Sequence, residues 1–410
     1  MHLSRKSFSS QSRNNSPARL ALRALNTYKR RAEHAVATEV YPPPARQPFS
    51  TPYSKRPMHA TRRHSLYHAE LLHASGRTAD AVREHGGRVR QQVFGNKVFV
   101  RGVLEISNYC RQNCNYCGMR RDNKAIDRFR LPLDIAREII FNHLPPAITD
   151  INIQAGEDVV AVRDIVPLLR EIRERTSLGI SVCLGTLSSR EYDMLREAGA
   201  SFYIIKLETG NPLHYKEVQA PGTFEKRIAA IRYLAQTGWS VSSGFIAGLP
   251  GQTTEHMLET LQVLGELPLA GNSVSPFIPG GDTPFGTYPA STPDLSLNAV
   301  ALMRLANPRR IIPAVSAMNL VGRDAYSGAI RAGANLTTIN LTPPDARRNY
   351  VLYQRDRYIM DQDRVLRAIR NAGCEVSTRS MARWLAEQRP GSVPVAPSNL
   401  ETAARFGEAA

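Results

Sequence analysis

From residue 98 onward, short apolar runs rich in β-branched residues alternate with longer stretches of helical period, and this alternation restricts the fold more than any other feature. Eight runs are legible, at 98–107 (VFVRGVLEIS), 150–154, 179–185, 201–208, 240–248, 271–277, 310–316 and 335–341. Between them lie segments such as LDIAREIIFNHL and FEKRIAAIRYLAQTG. Several helical segments stop at a glycine (Gly199, Gly238, Gly333), the residue that tolerates the left-handed backbone just past a helix end. Strands alternating with helices form parallel βαβ units, so the class is α/β. Eight such units suit a (β/α)8 TIM-type barrel, in which functional side chains gather at the C-terminal ends of the strands.

The expected organisation is a basic tail over 1–65, a helical segment over 66–97, the barrel over 98–345, and a helical C-terminal segment and tail over 346–410. Within the second segment a helix is expected over roughly 66–92, interrupted near Gly76 and Gly86. The tail holds 13 Lys and Arg against 2 Asp and Glu, a net +11 of the chain's +17, so the rest carries +6. Its Ser-, Arg- and Pro-rich composition, with no apolar period, is expected to stay unstructured. Three readings stand for it: an extension upstream of an alternative start at Met58, an organelle transit peptide, or a basic arm for an acidic partner. An apolar share of 42% with 22% charged residues allows a large packed core and excludes collagen-like and fully disordered chains. No apolar run reaches 18 residues, so no membrane span is expected. Beyond the tail no Lys/Arg-rich run interleaves with aromatics, so no nucleic-acid partner is expected.

Five cysteines, three of them within eight positions, argue against an extracellular disulfide framework and for a metal site in a reducing, cytoplasmic compartment. After the first strand the chain reads NYCRQNCNYCGMRRDN, which places Cys110, Cys114 and Cys117 in a CxxxCxxC spacing. Three thiolates on one tight loop can ligate three irons of a [4Fe-4S] cube and leave the fourth iron without a protein ligand. Tetrahedral zinc asks for four N or S ligands, and no second knuckle lies nearby. A chance or purely structural cluster is the other alternative.

With Tyr116 just before the last cysteine, this loop resembles the CxxxCxφC fingerprint of the radical S-adenosylmethionine (SAM) superfamily. The resemblance implies that SAM chelates the open iron and is cleaved reductively to a 5′-deoxyadenosyl radical, the protein supplying cage and orientation. Within the superfamily the chain is similar to the biotin-synthase-like branch over about residues 80–350, and most to the [FeFe]-hydrogenase maturase and methylornithine synthase group. The phrases that carry this are QAGED (154–158), LETGNP (207–212), GLPGQT (248–253), PFIPGGDTP (276–284) and GANLTTINLTP (333–343). Gly280 and Gly281 stand where the maturases have His-Pro, and Lys206 where they have Arg.

The resemblance points to Tyr116, Gln154, Gly156, Glu157, Asp158, Lys206, Glu208 and Arg227 as SAM contacts. Each has a plainer reading: QAGED as a strand-to-helix turn with an acidic helix start, and Lys206 with Glu208 as a salt bridge on one strand face. Residue-by-residue comparison with biotin synthase keeps one of the four ligands of its second cluster: Cys183 matches, Ser242 replaces a cysteine, and no third cysteine or arginine is found. Cys183, Thr186, Ser242 and Met318 are the substrate candidates, and Cys374 is expected to be structural. The expected partners are a small-molecule or carrier-bound substrate, a flavodoxin or ferredoxin reductant, and a second maturation protein. Hydrogenase-cofactor maturation, lipoyl- or biotin-type sulfur insertion and a methylornithine-type rearrangement all remain open, as does a non-enzymatic RNA- or membrane-associated protein with a structural cluster.

Overall fold

The computed structural model describes residues 67–353 and 358–388; the basic tail of 1–65 and the last residues of the chain lie outside these. Seven parallel strands curl into one sheet in the order β6-β5-β4-β3-β2-β1-β7. They are β1 (Lys97–Ser107), β2 (Asp150–Ala155), β3 (Gly179–Cys183), β4 (Phe202–Ile204), β5 (Ser240–Ala247), β6 (Gly271–Pro276) and β7 (Leu336–Asn340). Helices cover the outer face and side chains fill the inner one, so β1 is buried at every position after Lys97. This is a partial TIM-type barrel.

The run at 310–316 does not form a full strand. Ile311 bridges to Gly271 of β6 and Pro313 to Leu336 of β7, so two residues span the gap between the sheet edges. Pro313 has no N–H to donate, which removes one rung of any ladder there. The fourth run is also shorter than 201–208: the assigned strand stops at Ile204, and the chain beyond bulges where Leu207 N and Glu208 N both donate to the Gly244 carbonyl, at 3.0 and 2.9 Å. An eighth strand, β8 (Glu375–Val376), pairs with the start of β1. It comes from the C-terminal segment, where only helix was expected.

Gly86 does not interrupt its helix, which runs unbroken from Gly76 to Phe94 after a first turn at Ala69–Leu72. A Cβ on Gly86 would overlap the Ala332 carbonyl and touch Ala301, so this glycine lets the helix lie close against its neighbours. Asn298, on the helix Pro293–Ala306, donates to the carbonyls of Leu72 and Ala74 at 3.0 and 2.9 Å and ties the first turn down.

The barrel is sealed at the N-terminal end of its strands. Phe94, Phe99, Phe202, Ile311, Leu336 and Trp384 form one buried cluster there, with the Phe94 and Trp384 rings 4.7 Å apart. Asp150, at the start of β2, accepts from Met381 N at 2.8 Å and Ala382 N at 3.0 Å and so fastens the final helix, Met381–Glu387, beneath the plug. Any chemistry inside the barrel is reached from the opposite mouth.

Candidate active site

The cysteine loop leaves the end of β1 and folds back on itself. Arg121 N donates to the Gln112 carbonyl at 2.7 Å, and the Arg128 guanidinium clamps the loop through the carbonyls of Asn108, Met119, Arg120 and Asn123 at 2.6–3.1 Å. Gly118 permits close approach to the C-terminal segment: a Cβ there would press on Val351, and Gly118 N donates to the Leu352 carbonyl at 3.2 Å. Cys110, Cys114 and Cys117 are all free thiols and line one cavity of about 280 Å³ at the C-terminal mouth. Among the described residues no three His, Cys, Asp or Glu side chains gather as ligands of a single ion. A cube takes one thiolate at each of three separate corners.

Burial pushes all three thiols up, Cys117 to about 12, and the neighbouring thiols push Cys114 and Cys117 further. A bound cation would take up the negative charge that burial and crowding oppose, so metal binding and loss of these protons go together.

The strand ends complete the cavity. Gln154, Gly156 and Glu157 enter from the end of β2, Lys206 and Glu208 from beyond β4, and Arg227 from the helix Phe224–Gln236. Gly156 is required for closeness, since a Cβ would overlap the Tyr109 carbonyl beside Cys110. Glu208 sits at φ +68°, unusual for a residue with a side chain. Its Oε2 is buried without a hydrogen-bond donor, its nearest charge being Lys206 Nζ at 3.4 Å. Arg227 Nε is likewise buried and unpartnered. Glu208 and Arg227 thus bring an anionic and a cationic group to the same wall, a pair whose charges suit the ammonium and carboxylate of an amino-acid-bearing cofactor.

Glu157 itself is committed to the protein. Its carboxylate accepts from Gln112 Nε2 at 2.6 Å, Arg111 Nε at 3.4 Å, Arg227 Nη2 at 3.0 Å and Thr186 N at 3.3 Å. Burial pulls the Arg227 guanidinium down, but the Glu157 carboxylate and the Tyr215 hydroxyl outweigh this and leave it above its usual value.

Four residues expected at the site do not line the cavity, and one of them, Ser242, lies deeper in the barrel. Asp158 turns outward, where it caps the helix Val159–Asp164 through Val160 N and accepts from Ser107 Oγ at 2.7 Å and Arg130 Nε at 2.7 Å. Thr186 lies behind Glu157, its carbonyl accepting from Arg111 Nη2 at 2.7 Å. Met318 begins the short helix Met318–Val321, which turns its side chain into the core; Ala317 faces the cavity instead.

Below the cysteines a second space of about 220 Å³ occupies the barrel lumen. Arg101, Glu105, Ser242, Thr338 and Asn340 give it polar walls, and burial pulls Arg101 down to about 10. Gln154, Cys183, Lys206, Ser275 and Leu352 line both spaces. Burial pushes the Cys183 thiol up to about 11, against the pull of Lys206 and Arg101, so it is neutral at pH 7. Arg101 and Glu105 share one face of β1 with Val103, and that period-two alternation could have flagged them. Tyr350, Leu352 and Tyr353, which roof the cysteine cavity, carried no comparable signal.

The radical SAM superfamily model matches residues 104–264. The [FeFe] hydrogenase maturase subunit HydE of Thermotoga maritima is 31% identical over 69% of this chain and 82% of its own length. The 3-methylornithine synthase of Methanosarcina barkeri is 28% identical over 67% of this chain and 79% of its own. Among solved structures, methylornithine synthase (PylB) superposes with a TM-score of 0.68 at 26% identity, covering 75% of this chain and 92% of that one. The chain therefore belongs to the radical SAM superfamily and is an enzyme that uses a [4Fe-4S] cluster and SAM. Within that superfamily it stands in the biotin-synthase-like branch, beside the HydE, methylornithine synthase and biotin synthase relatives. No described helix is long and apolar enough to cross a membrane.

Proposed function

We propose that Cys110, Cys114 and Cys117 hold the cluster and that SAM lies along the wall formed by Gln154, Gly156, Lys206, Glu208 and Arg227. Bound there, cluster and SAM supply a carbon-centred radical by reductive cleavage of the sulfonium. The Glu208 carboxylate would receive the ammonium group, the Arg227 guanidinium the carboxylate, and the apolar edge of Ile246, Phe277 and Ile278 the flat base. Glu157 acts one step back, holding Arg227 and Gln112 in place. The plugged lower end and the roof from the C-terminal segment keep bulk water from the reacting atoms.

The substrate occupies the polar lumen, and the observation that carries this is the wall shared by the two spaces. A lumen of about 220 Å³ with Arg101, Glu105, Ser242, Thr338 and Asn340 in its wall suits a small polar molecule. The reaction we favour is of the cofactor-maturation type, supported by the 31% identity to the hydrogenase maturase over 82% of its length. Biotin-type sulfur insertion is disfavoured, because of five cysteines only Cys183 faces the lumen. An acidic one-electron carrier of the flavodoxin or ferredoxin kind is the reductant, in a reducing cytoplasmic compartment that keeps the five thiols free.

Anaerobic reconstitution with iron and sulfide, followed by dithionite and SAM, tests the reading. The expected result is 5′-deoxyadenosine from the wild type and none from Cys114→Ala. A protein that binds about one zinc and no iron would overturn it.

A further inference from the structure

Cys183 is the last residue of β3 and pairs in register with Gln154 of β2, at the level where the cysteine cavity meets the lumen. It lines both spaces and is a free thiol. A group in this place meets a molecule held beside the cysteines and a molecule held below it, among Arg101, Ser242 and Thr338.

The lumen is shaped for an occupant. Arg101 is 8% exposed, its Nη2 reaches Thr338 Oγ1 at 3.4 Å, and its Nε has no acceptor among the described residues. A buried donor left open in this way asks for a polar group on the molecule that fills the space.

Bond strength separates Cys183 from its neighbours. Among the other residues that line both spaces, Gln154, Lys206 and Ser275 end in N–H or O–H bonds, and Ile204 and Leu352 in C–H bonds. The S–H bond is the weakest of this set, so sulfur gives a hydrogen atom to an alkyl radical most readily. Phenolic O–H bonds are comparably weak, but each tyrosine here lines one space alone: Tyr116, Tyr350 and Tyr353 the cysteine cavity, Tyr326 and Tyr358 the lumen. Burial keeps the Cys183 thiol protonated at neutral pH, so the hydrogen is there to give.

We propose that Cys183 is the catalytic hydrogen-atom donor that quenches the carbon radical left on the substrate at the end of turnover. The assignment rests on the reading that Cys110, Cys114 and Cys117 hold the cluster with SAM beside them, and it adds how the radical sequence ends. The substrate radical takes the hydrogen atom, so the S–H bond breaks, a C–H bond forms and a thiyl radical remains on Sγ. One electron from the reduced one-electron carrier, passed through the cluster, and one proton from water restore the thiol.

The test needs no substrate, because with the lumen empty the radical from SAM meets the same thiol. The full chain, reconstituted, is given SAM and dithionite in D2O, where thiol hydrogens exchange and carbon-bound ones do not. 5′-Deoxyadenosine from the wild type is expected to carry one deuterium, and that from Cys183→Ser or Cys183→Ala to lack it. Unlabelled product from the wild type overturns the donor role, as does a label retained in both variants.

A second readout needs no turnover. In the oxidised, reconstituted wild type, SAM at about ten times its Kd is expected to slow labelling of Cys183 by methyl methanethiosulfonate about tenfold, read by peptide mass. Equal rates with and without SAM overturn the placement of Cys183 beside the cofactor. Should a variant fail to fold, the wild-type deuterium content and the SAM protection still decide. Absence of 5′-deoxyadenosine from the wild type overturns the cluster reading and the donor role together, whereas product without the label overturns the donor role alone.

Discussion

The Glu157 side chain occupies the space that a β-carbon on Gly185 would fill, and Gly185 stands at φ +80°, where only glycine is at ease. The end of β3 and the turn after β2 are thus shaped to each other. Gly185→Ala meets both penalties, backbone strain and overlap with a buried carboxylate, and is expected to lose about 2–4 kcal/mol in urea denaturation. A loss under about 1 kcal/mol would show that Glu157 can move aside freely.

Glu208 reverses the usual ranking of alanine over glycine. Its φ of +68° strains any residue with a β-carbon, so Glu208→Gly should be more stable than Glu208→Ala by about 1 kcal/mol. Both variants lack the open carboxylate oxygen and are expected to weaken SAM binding tenfold or more, as read by equilibrium dialysis of the reconstituted protein. Unchanged SAM affinity would remove Glu208 from the proposed wall.

Asp158 predicts a pH dependence. Burial pushes its carboxyl up, but the hydrogen bonds from Arg130, Ser107 and Val160 N outweigh this and hold it below the usual carboxylate range. A depressed folded-state value means that its stabilisation is present above the unfolded value of about 3.9 and is lost as pH falls through the lower folded value. Wild type and Asp158→Asn should therefore differ most at pH 6 and converge toward pH 3. A constant difference across that range would contradict the ionised pair.

Gly86→Ala tests the close approach of the N-terminal helix. Mid-helix glycine-to-alanine changes ordinarily stabilise by about 1 kcal/mol. Here the new β-carbon would overlap the Ala332 carbonyl, which is backbone and cannot swing away, so a loss of about 2 kcal/mol or more is expected in thermal or urea unfolding. A stabilised variant would show that the two helices part at little cost.

The strands and helices of the barrel were mostly legible because period and length are local properties. The cysteine loop was legible for the same reason: Cys110, Cys114 and Cys117 lie so near in sequence that a single turn can gather them. Gly86 was misread as a break, since a glycine required by a neighbouring helix looks the same in sequence as one that ends its own. At 310–316 the β-branched pattern was real, but Pro313 and the gap between β6 and β7 reduced it to two bridges.

The sequence by itself determined the alternation that makes a barrel and the thiol spacing on which the proposed cluster site rests, both products of short-range geometry. Only the tertiary structure decided that Glu157 holds Arg227 while the adjacent Asp158 turns outward to cap a helix, and that Tyr350–Tyr353 roofs the cavity. One step along a turn redirects a side chain, and a segment more than 200 residues beyond the cysteines reaches them only by folding. Contacts of that kind depend on where the whole chain packs, which no local pattern encodes.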